Sequence, residues 1–151
     1  MSQNNYTVDS IKALTDREHV RLKPSMYIGD TLQHGINQLV YEIIDNSIDE
    51  FLAGFGNKIN VHIYKDCSVR VQDFGRGVPV GLTKDANGIE INSITLIFSK
   101  LMSGGKYQQD ENGNNPYQYS AGQFGIGSGC CNFCSEFFEV KVSRDGKIWR
   151  Q

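Results

Sequence analysis

The chain has 151 residues, with 15 Lys+Arg against 17 Asp+Glu for a net charge of −2, and it is 39% hydrophobic and 21% charged. That is the length of one domain and the composition of an ordered, soluble one. It excludes a general basic field for nucleic acid, and no apolar run approaches the roughly 18 residues of a membrane span. Met1–Ser10 is polar and has no signal-peptide core. Glycine is the excess: of 16 glycines, 12 fall between Gly75 and Gly146, a region where the backbone must bend sharply or approach a ligand closely.

Residues 1–15 read as a polar arm with Tyr6, Val8 and Ile11 as anchors. Asp16 to Lys23 predicts a short helix capped by Asp16 and ended by Pro24. A longer helix follows over roughly Gly35 to Leu52, stopped by Gly54 and Gly56. Lys58–Tyr64 and Ser68–Asp73 alternate as strands, and Lys65-Asp66-Cys67 between them is short enough for a hairpin loop. Gly75 to Gly88 reads as a polar loop and Ile91 to Met102 as a helix ended by Gly104 and Gly105. Residues 103–121 are too polar to pack as core. Gly122 to Gly129 is a glycine-rich turn, and Cys130–Ser135 a short helix behind it. Phe137–Val142 and Lys147–Gln151 read as strands around an Arg144-Asp145-Gly146 turn. This order predicts an α+β fold with a largely antiparallel sheet. The last strand, still running at Gln151, reads as a sheet cut short.

Three features carry chemistry. At about 100° per residue, Glu42, Asp45, Asn46, Asp49 and Glu50 share an arc of roughly 140° on the long helix. Val40, Ile43, Ile44, Ile48 and Phe51 fall opposite and are expected to face the core. The acidic arc is either a solvated face or a cation site with a general base beside it, since an Asn among carboxylates offers a neutral oxygen to Mg²⁺. Asp73 shares a strand face with Val69 and Val71. If that face is core, the carboxylate needs donors, and the exocyclic amine of adenine is one; otherwise Asp73 simply starts the turn at Phe74-Gly75-Arg76-Gly77. Gly122-x-x-Gly125-x-Gly127 lets backbone N–H groups approach phosphate, with a helix N-terminus behind them. Gly104-Gly105-Lys106 adds a lysine at the head of a loop that reads as a lid or as ordinary surface. Of Cys67, Cys130, Cys131 and Cys134, the last two have the spacing of half a zinc site, but no second pair exists. Reduced, mostly buried cysteines in a cytoplasmic protein are the expectation.

The order Glu42-x-x-Asp45-Asn46-x-x-Asp49-Glu50, then Asp73-x-Gly75-x-Gly77, then Gly122-x-x-Gly125-x-Gly127 resembles the three ATP-site motifs of the GHKL superfamily. That group joins the B subunits of DNA gyrase and topoisomerase IV with sensor histidine kinases. Within it, Val20 to Asp30, Asp45-Asn46-Ser47-Ile48-Asp49-Glu50, Gly75-Arg76-Gly77-Val78-Pro79 and Ser103-Gly104-Gly105-Lys106-Tyr107 are similar to the gyrase B and topoisomerase IV B pattern, from about Tyr6 to Gln151.

The resemblance implies a two-layer fold, helices on a mixed, mainly antiparallel sheet, with residues 1–15 as a dimerisation arm, 16–151 as a partial ATP-binding domain and a lid at about 103–127. It implies Glu42 as the general base that activates water and Asn46 as the Mg²⁺ ligand. Asp73 would accept from the adenine amine, Gly77 and Pro79 would lie along the base, and Glu50 would pair with Arg76 at the pocket mouth. Gly105, Lys106, Tyr117, Gly122, Gln123, Gly125, Ile126 and Gly127 would line the lid and phosphate cradle. Tyr6, with Ile11, would belong to the arm that crosses to a second protomer, and Arg144 to the rim where coumarin-type inhibitors sit. The cofactors implied are ATP and Mg²⁺. The partners are a second B protomer, a DNA-cleaving A-type partner and duplex DNA, with no membrane.

Phe124 stands where the family has a hydrogen-bonding residue, Gln118 where lysine is common, and Ser25 where glycine is usual. The family's γ-phosphate lysine belongs to a following domain, so a fragment of this extent is expected to bind nucleotide with little turnover. A non-catalytic nucleotide-binding paralogue and a sensor-kinase ATP domain are the alternatives. Asp73-Phe74-Gly75 also matches the protein-kinase metal motif, but no glycine loop with a following lysine and no catalytic loop accompany it.

Overall fold

Side-chain caps, proline and glycine set the first helix boundaries. The computed structural model describes residues 7–104, 120 and 125–151. The described part of the expected arm, residues 7–15, is exposed and holds one 3-10 turn, Val8–Ser10. Helix α1, Asp16–Leu22, begins with a capping box: the Thr15 hydroxyl accepts from the Glu18 N–H at 3.3 Å, and Glu18 Oε2 accepts from the Thr15 N–H at 2.9 Å. The Thr15 N–H beside it holds the Glu18 carboxyl below its usual range. The cap is therefore Thr15, one residue before the Asp16 expected from the sequence. Asp16 instead reaches across the fold, its Oδ2 accepting from the Leu101 N–H at 3.1 Å. A single turn, α2 (Ser25–Ile28), ends at Gly29.

Helix α3, Gln33–Leu52, starts two residues earlier than expected. Asp30 Oδ1 accepts from the N–H groups of Leu32 (2.8 Å) and Gly35 (2.9 Å), which satisfies donors that the first helical turn leaves open. Strands β1 (Ile59–Ile63) and β2 (Val69–Asp73) pair antiparallel, with Ile59 opposite Asp73 and Ile63 opposite Val69.

A short hairpin begins in the segment read as a loop, Gly75 to Gly88, and its second strand takes the first residues of the expected helix. β3 (Leu82–Lys84) pairs with β4 (Glu90–Asn92) around an Asp85 turn, where the carboxylate accepts from Asn87 and Ile89 N–H at 2.9 Å each. Helix α4, Ser93–Ser99, is shorter than the expected 91–102 and is capped by the Asn92 side chain. Helix α5, Gly127–Cys134, takes in the end of the predicted glycine turn. Strands β5 (Lys141–Arg144) and β6 (Lys147–Arg150) close on Asp145 and Gly146, both at positive φ, the two-residue turn that matches strand twist.

The architecture is α+β, as the element order predicted, with the described strands arranged as three antiparallel pairs. Helix α5 is the hub, with α1, α3 and α4 packed around it. The core is Val20, Cys130 and Phe133, with Tyr27, Leu39, Leu101, Ile126 and Cys134 packed against it. Arg21 ties α1 to the end of α5 by donating Nε to the Phe133 carbonyl at 2.6 Å. Among the described residues, no helix is long and apolar enough to cross a membrane.

The expected facing of α3 is corrected here. Val40, Ile43, Ile44 and Ile48 are only half-buried and Phe51 is 55% exposed, whereas Ser47 and Asp49 are buried. The polar side of α3 is covered instead: Ser47 meets Asp73 of β2, Asp49 meets Ser120, and the small Gly127 and Ser128 of α5 lie against Glu42 and Asn46.

Candidate functional site

The polar side of α3 is brought against the start of α5. Glu42 Oε1 accepts from Gln38 Nε2 one turn earlier, at 2.9 Å, which fixes the plane of the carboxylate. Its other oxygen lies so close to Gly127 that a Cβ there would come within 2.1 Å of Oε2. A carboxylate at the first turn of a helix is in a favourable field. Asn46 donates its side-chain amide to the Glu42 carbonyl (2.9 Å) and to Ser128 Oγ (3.0 Å). Those two acceptors fix which end of the Asn46 side chain carries nitrogen and so direct its oxygen away from them.

Asp49 is 1% exposed. Ser120 Oγ donates to its Oδ2 at 2.9 Å. The solvated-face reading of the acidic arc is therefore excluded at Asp49, since a buried carboxylate persists only with donors.

At the other end of the helix, Glu50 and Arg76 form the expected pair. Arg76 Nη2 meets Oε1 at 2.8 Å, while its Nε (3.2 Å) and backbone N–H (3.1 Å) both reach Oε2. The guanidinium also lies 3.8 Å from the centre of the Phe55 ring. Such a fork fixes both side chains more firmly than a single surface ion pair.

Of the two readings open for Asp73, buried with Val69 and Val71 or starting the turn at Phe74, the structure fits the second: Asp73 is exposed at the end of β2. Period two does place the three on one face, but Val69 on that face is itself exposed, so the face is not core. Asp73 accepts from the Gly75 N–H at 2.9 Å and from Ser47 Oγ at 3.4 Å. A cavity of ≈ 230 Å³ opens beside it, lined by Ser47, Phe51, Phe55, Lys58 and Gly75 among others.

Gly77 has φ +69, and a Cβ there would meet Val142 Cγ1 at 3.0 Å and the Ser143 carbonyl oxygen at 3.1 Å. Only glycine fits both the conformation and the contact. Arg144 Nη1 donates to the Gly77 carbonyl at 2.7 Å, so the β5–β6 hairpin is clamped to this turn. The Pro79 carbonyl accepts from Ser93 Oγ at 2.7 Å, which ties the same segment to the start of α4.

Gly125 has φ +57 and Ile126 is the N-cap of α5. Of the residues expected in the site, Glu42, Asn46, Glu50, Asp73, Arg76, Gly77, Pro79, Gly125, Ile126, Gly127 and Arg144 are described. Tyr6, Gly105, Lys106, Tyr117, Gly122 and Gln123 lie outside the described residues, as do Gln118 and Phe124. Gln38, Ser120 and Ser128 carry no site expectation from the sequence, and Asp49 only that of the acidic arc. The i,i+4 spacing of Gln38 and Glu42 was a legible signal, whereas Ser120 and Ser128 meet α3 only in three dimensions.

All four cysteines are free thiols. Burial pushes Cys130 up to about 12 and Cys131 up to about 11, so both are neutral at ordinary pH. Among the described residues, no group of three or more His, Cys, Asp or Glu is placed to hold a metal.

Residues 31–149 match a family described as histidine kinase-, DNA gyrase B-, and HSP90-like ATPase. The chain is 45% identical over 149 residues to the B subunit of DNA topoisomerase 4 from Staphylococcus aureus strain MW2, a match that covers 99% of this chain and 21% of that protein. The same figures hold for the protein of strain N315. The chain thus spans about a fifth of the length of these relatives. Among solved structures it is similar to the 43K ATPase domain of Thermus thermophilus gyrase B in complex with an aminocoumarin, with TM-score 0.70 and 35% identity over 91% of this chain and 31% of that one.

Proposed function

The chain belongs to the histidine kinase-, DNA gyrase B-, and HSP90-like ATPase family, and from that premise we propose that it is the ATP-binding part of the B subunit of a type II DNA topoisomerase. The observation that carries the reading is the meeting of Glu42 and Asn46 on α3 with Gly127 and Ser128 on α5. It joins an oriented carboxylate, a neutral amide oxygen and the N-terminal turn of a helix, the set needed to hold a nucleoside triphosphate and direct water at it.

Each residue has one task in this reading. Asp73, exposed beside the cavity, accepts from the adenine amine. Gly77 and Pro79 form the wall along the base, and the Glu50–Arg76 fork with Arg144 fixes the mouth of the pocket. Glu42, held by Gln38, takes a proton from water. The N–H groups of Gly125, Ile126 and Gly127 face the phosphates.

The donor set fits Mg²⁺. Asn46 carries a neutral amide oxygen besides the nitrogen it donates, and this ion keeps several waters and shares phosphate oxygens rather than requiring an all-protein cage. When bound, Mg²⁺ supplies neutralisation of phosphate charge.

Tyr6, Gly105, Lys106, Tyr117, Gly122 and Gln123 complete the nucleotide site in the same proposal, with residues 1–15 as the arm, 16–151 as the ATP-binding unit and about 103–127 as the lid. The relatives' names extend it to the whole protein. There, ATP binding would drive closure of two B protomers, for passage of duplex DNA cut by an A-type partner, in the cytoplasm. Arg144 would lie at the rim of a coumarin-type inhibitor site.

Titration calorimetry of the chain with a nonhydrolysable ATP analogue, with and without Mg²⁺, tests the core of this reading. Binding strengthened by Mg²⁺ is expected, and Asp73→Asn should weaken it about tenfold or more, the worth of a hydrogen bond to a charged group. Absence of binding by the wild-type chain would overturn the reading, and unchanged affinity in Asp73→Asn would remove Asp73 from the adenine site.

A further inference from the structure

Among the described residues, two serines that flank the glycine element are hydrogen-bonded to helix α3. Ser128, just after Gly127, accepts from Asn46 Nδ2 at 3.0 Å. Ser120, five residues before Gly125, donates to Asp49 Oδ2 at 2.9 Å. Asn46 and Asp49 are neighbours at i,i+3 on one side of the helix, and Glu42 lies one turn before Asn46 on that same side. Gly125, Ile126 and Gly127 thus fall between two serines pinned to the helix that carries the base. Asp49 is the more costly of the two anchors. Among the described residues it is the one charged side chain in the buried class, and removing an ionised carboxylate from water is unfavourable unless donors replace the lost solvation. A neutral residue would fill that volume at less cost, so the charge is best understood through what it holds.

We propose that Asp49 is a positioning residue. Through the Ser120 hydroxyl it sets where the chain enters the glycine turn, and so where the turn's N–H groups stand relative to Glu42. This rests on the nucleotide-binding reading above for its consequence, though not for the tether itself. Asp49 and Ser120 touch no phosphate in this account. They act on triphosphate binding through Gly125–Gly127 and leave recognition of the base, which belongs to Asp73, unaffected.

The test uses the whole chain with Ser120→Ala, which removes one hydroxyl, and Ser120→Thr, which restores it. Asp49→Asn, which keeps an acceptor oxygen, is the second variant. Two readouts separate the tether from its consequence. Hydrogen exchange of the nucleotide-free protein should show faster exchange at the amides of residues 125–129 in Ser120→Ala and wild-type rates in Ser120→Thr. Calorimetry should show a loss of about tenfold in affinity for the nonhydrolysable ATP analogue in Ser120→Ala, adenosine affinity within twofold of wild type, and recovery in Ser120→Thr. Asp49→Asn should fall between Ser120→Ala and wild type in both. Unchanged exchange in Ser120→Ala overturns the tether. Faster exchange with unchanged affinity for the analogue, or equal loss of adenosine and analogue, overturns the positioning role. A wild-type chain that binds neither ligand overturns the function proposed above, and the exchange measurement still decides the tether.

Discussion

Gly127→Ala adds one methyl group at the tightest contact of the site. A Cβ there would stand 2.1 Å from Glu42 Oε2 and 2.8 Å from both Cβ and Cδ of Glu42. The carboxylate end can swing aside, but Glu42 Cβ is fixed to the backbone of α3. Restoring an ordinary carbon–carbon separation of about 3.5 Å therefore requires α3 and α5 to part by roughly 0.7 Å. Overpacking of this kind costs about 1–3 kcal/mol. Alanine's better helix propensity offsets at most about 1 kcal/mol of it. A net loss of about 1–2 kcal/mol lowers the thermal midpoint of a chain this size by roughly 2–8 °C. In a longer protein that hydrolyses ATP, misplacing the base by a distance of this order should reduce turnover about 100-fold. Gly81→Ala is the control, because no atom lies within 4 Å of the added Cβ. Circular-dichroism melts of both variants decide the matter. Gly127→Ala melting at or above wild type would show that the contact is not tight and that Glu42 is not held as described.

Glu42→Ala in the longer protein should abolish ATP hydrolysis while leaving affinity for a nonhydrolysable analogue within a few-fold, as expected for a group that acts on water rather than on binding; unchanged turnover would remove Glu42 as the base. The thiols give a check that does not depend on nucleotide. At pH 8, iodoacetamide should modify exposed Cys67 well before Cys130 and Cys131, whose burial holds them as neutral thiols up to about 12 and about 11. Mass spectrometry showing equal labelling at all three would contradict the packing of α5.

Helical periodicity made α3 legible, and it also placed Glu42 and Asn46 on one side. Its true start was hidden because the cap comes from Asp30, whose carboxylate reaches both Leu32 and Gly35. The pairing of β3 with β4 escaped notice because strands of three residues carry too little alternation to separate from a loop. The Asp145-Gly146 turn, by contrast, was plain from its residue types, which tolerate the positive φ it needs. Asp73 shows what periodicity leaves out: period two gives a shared face but not what covers that face. Asp49 shows the reverse error. On the helical wheel it is one carboxylate among four, and its burial and its contact with Ser120, 71 residues away, set it apart.

Each strand pair joins close neighbours in sequence, whereas the helices around α5 do not. Arg21 reaches Phe133 across 112 positions, and Asn46 reaches Ser128 across 82. A hairpin forms in about 1–10 μs. Closing a loop of the longer kind costs roughly 3 kcal/mol more chain entropy than closing a four-residue turn. The helical hub therefore carries the larger closure cost, and Glu42 meets Gly127 only once it has formed. The same contacts bear on partial opening: no described strand pair includes a residue of α5, whereas the approach of Glu42 to Gly127 is lost as soon as α5 comes away.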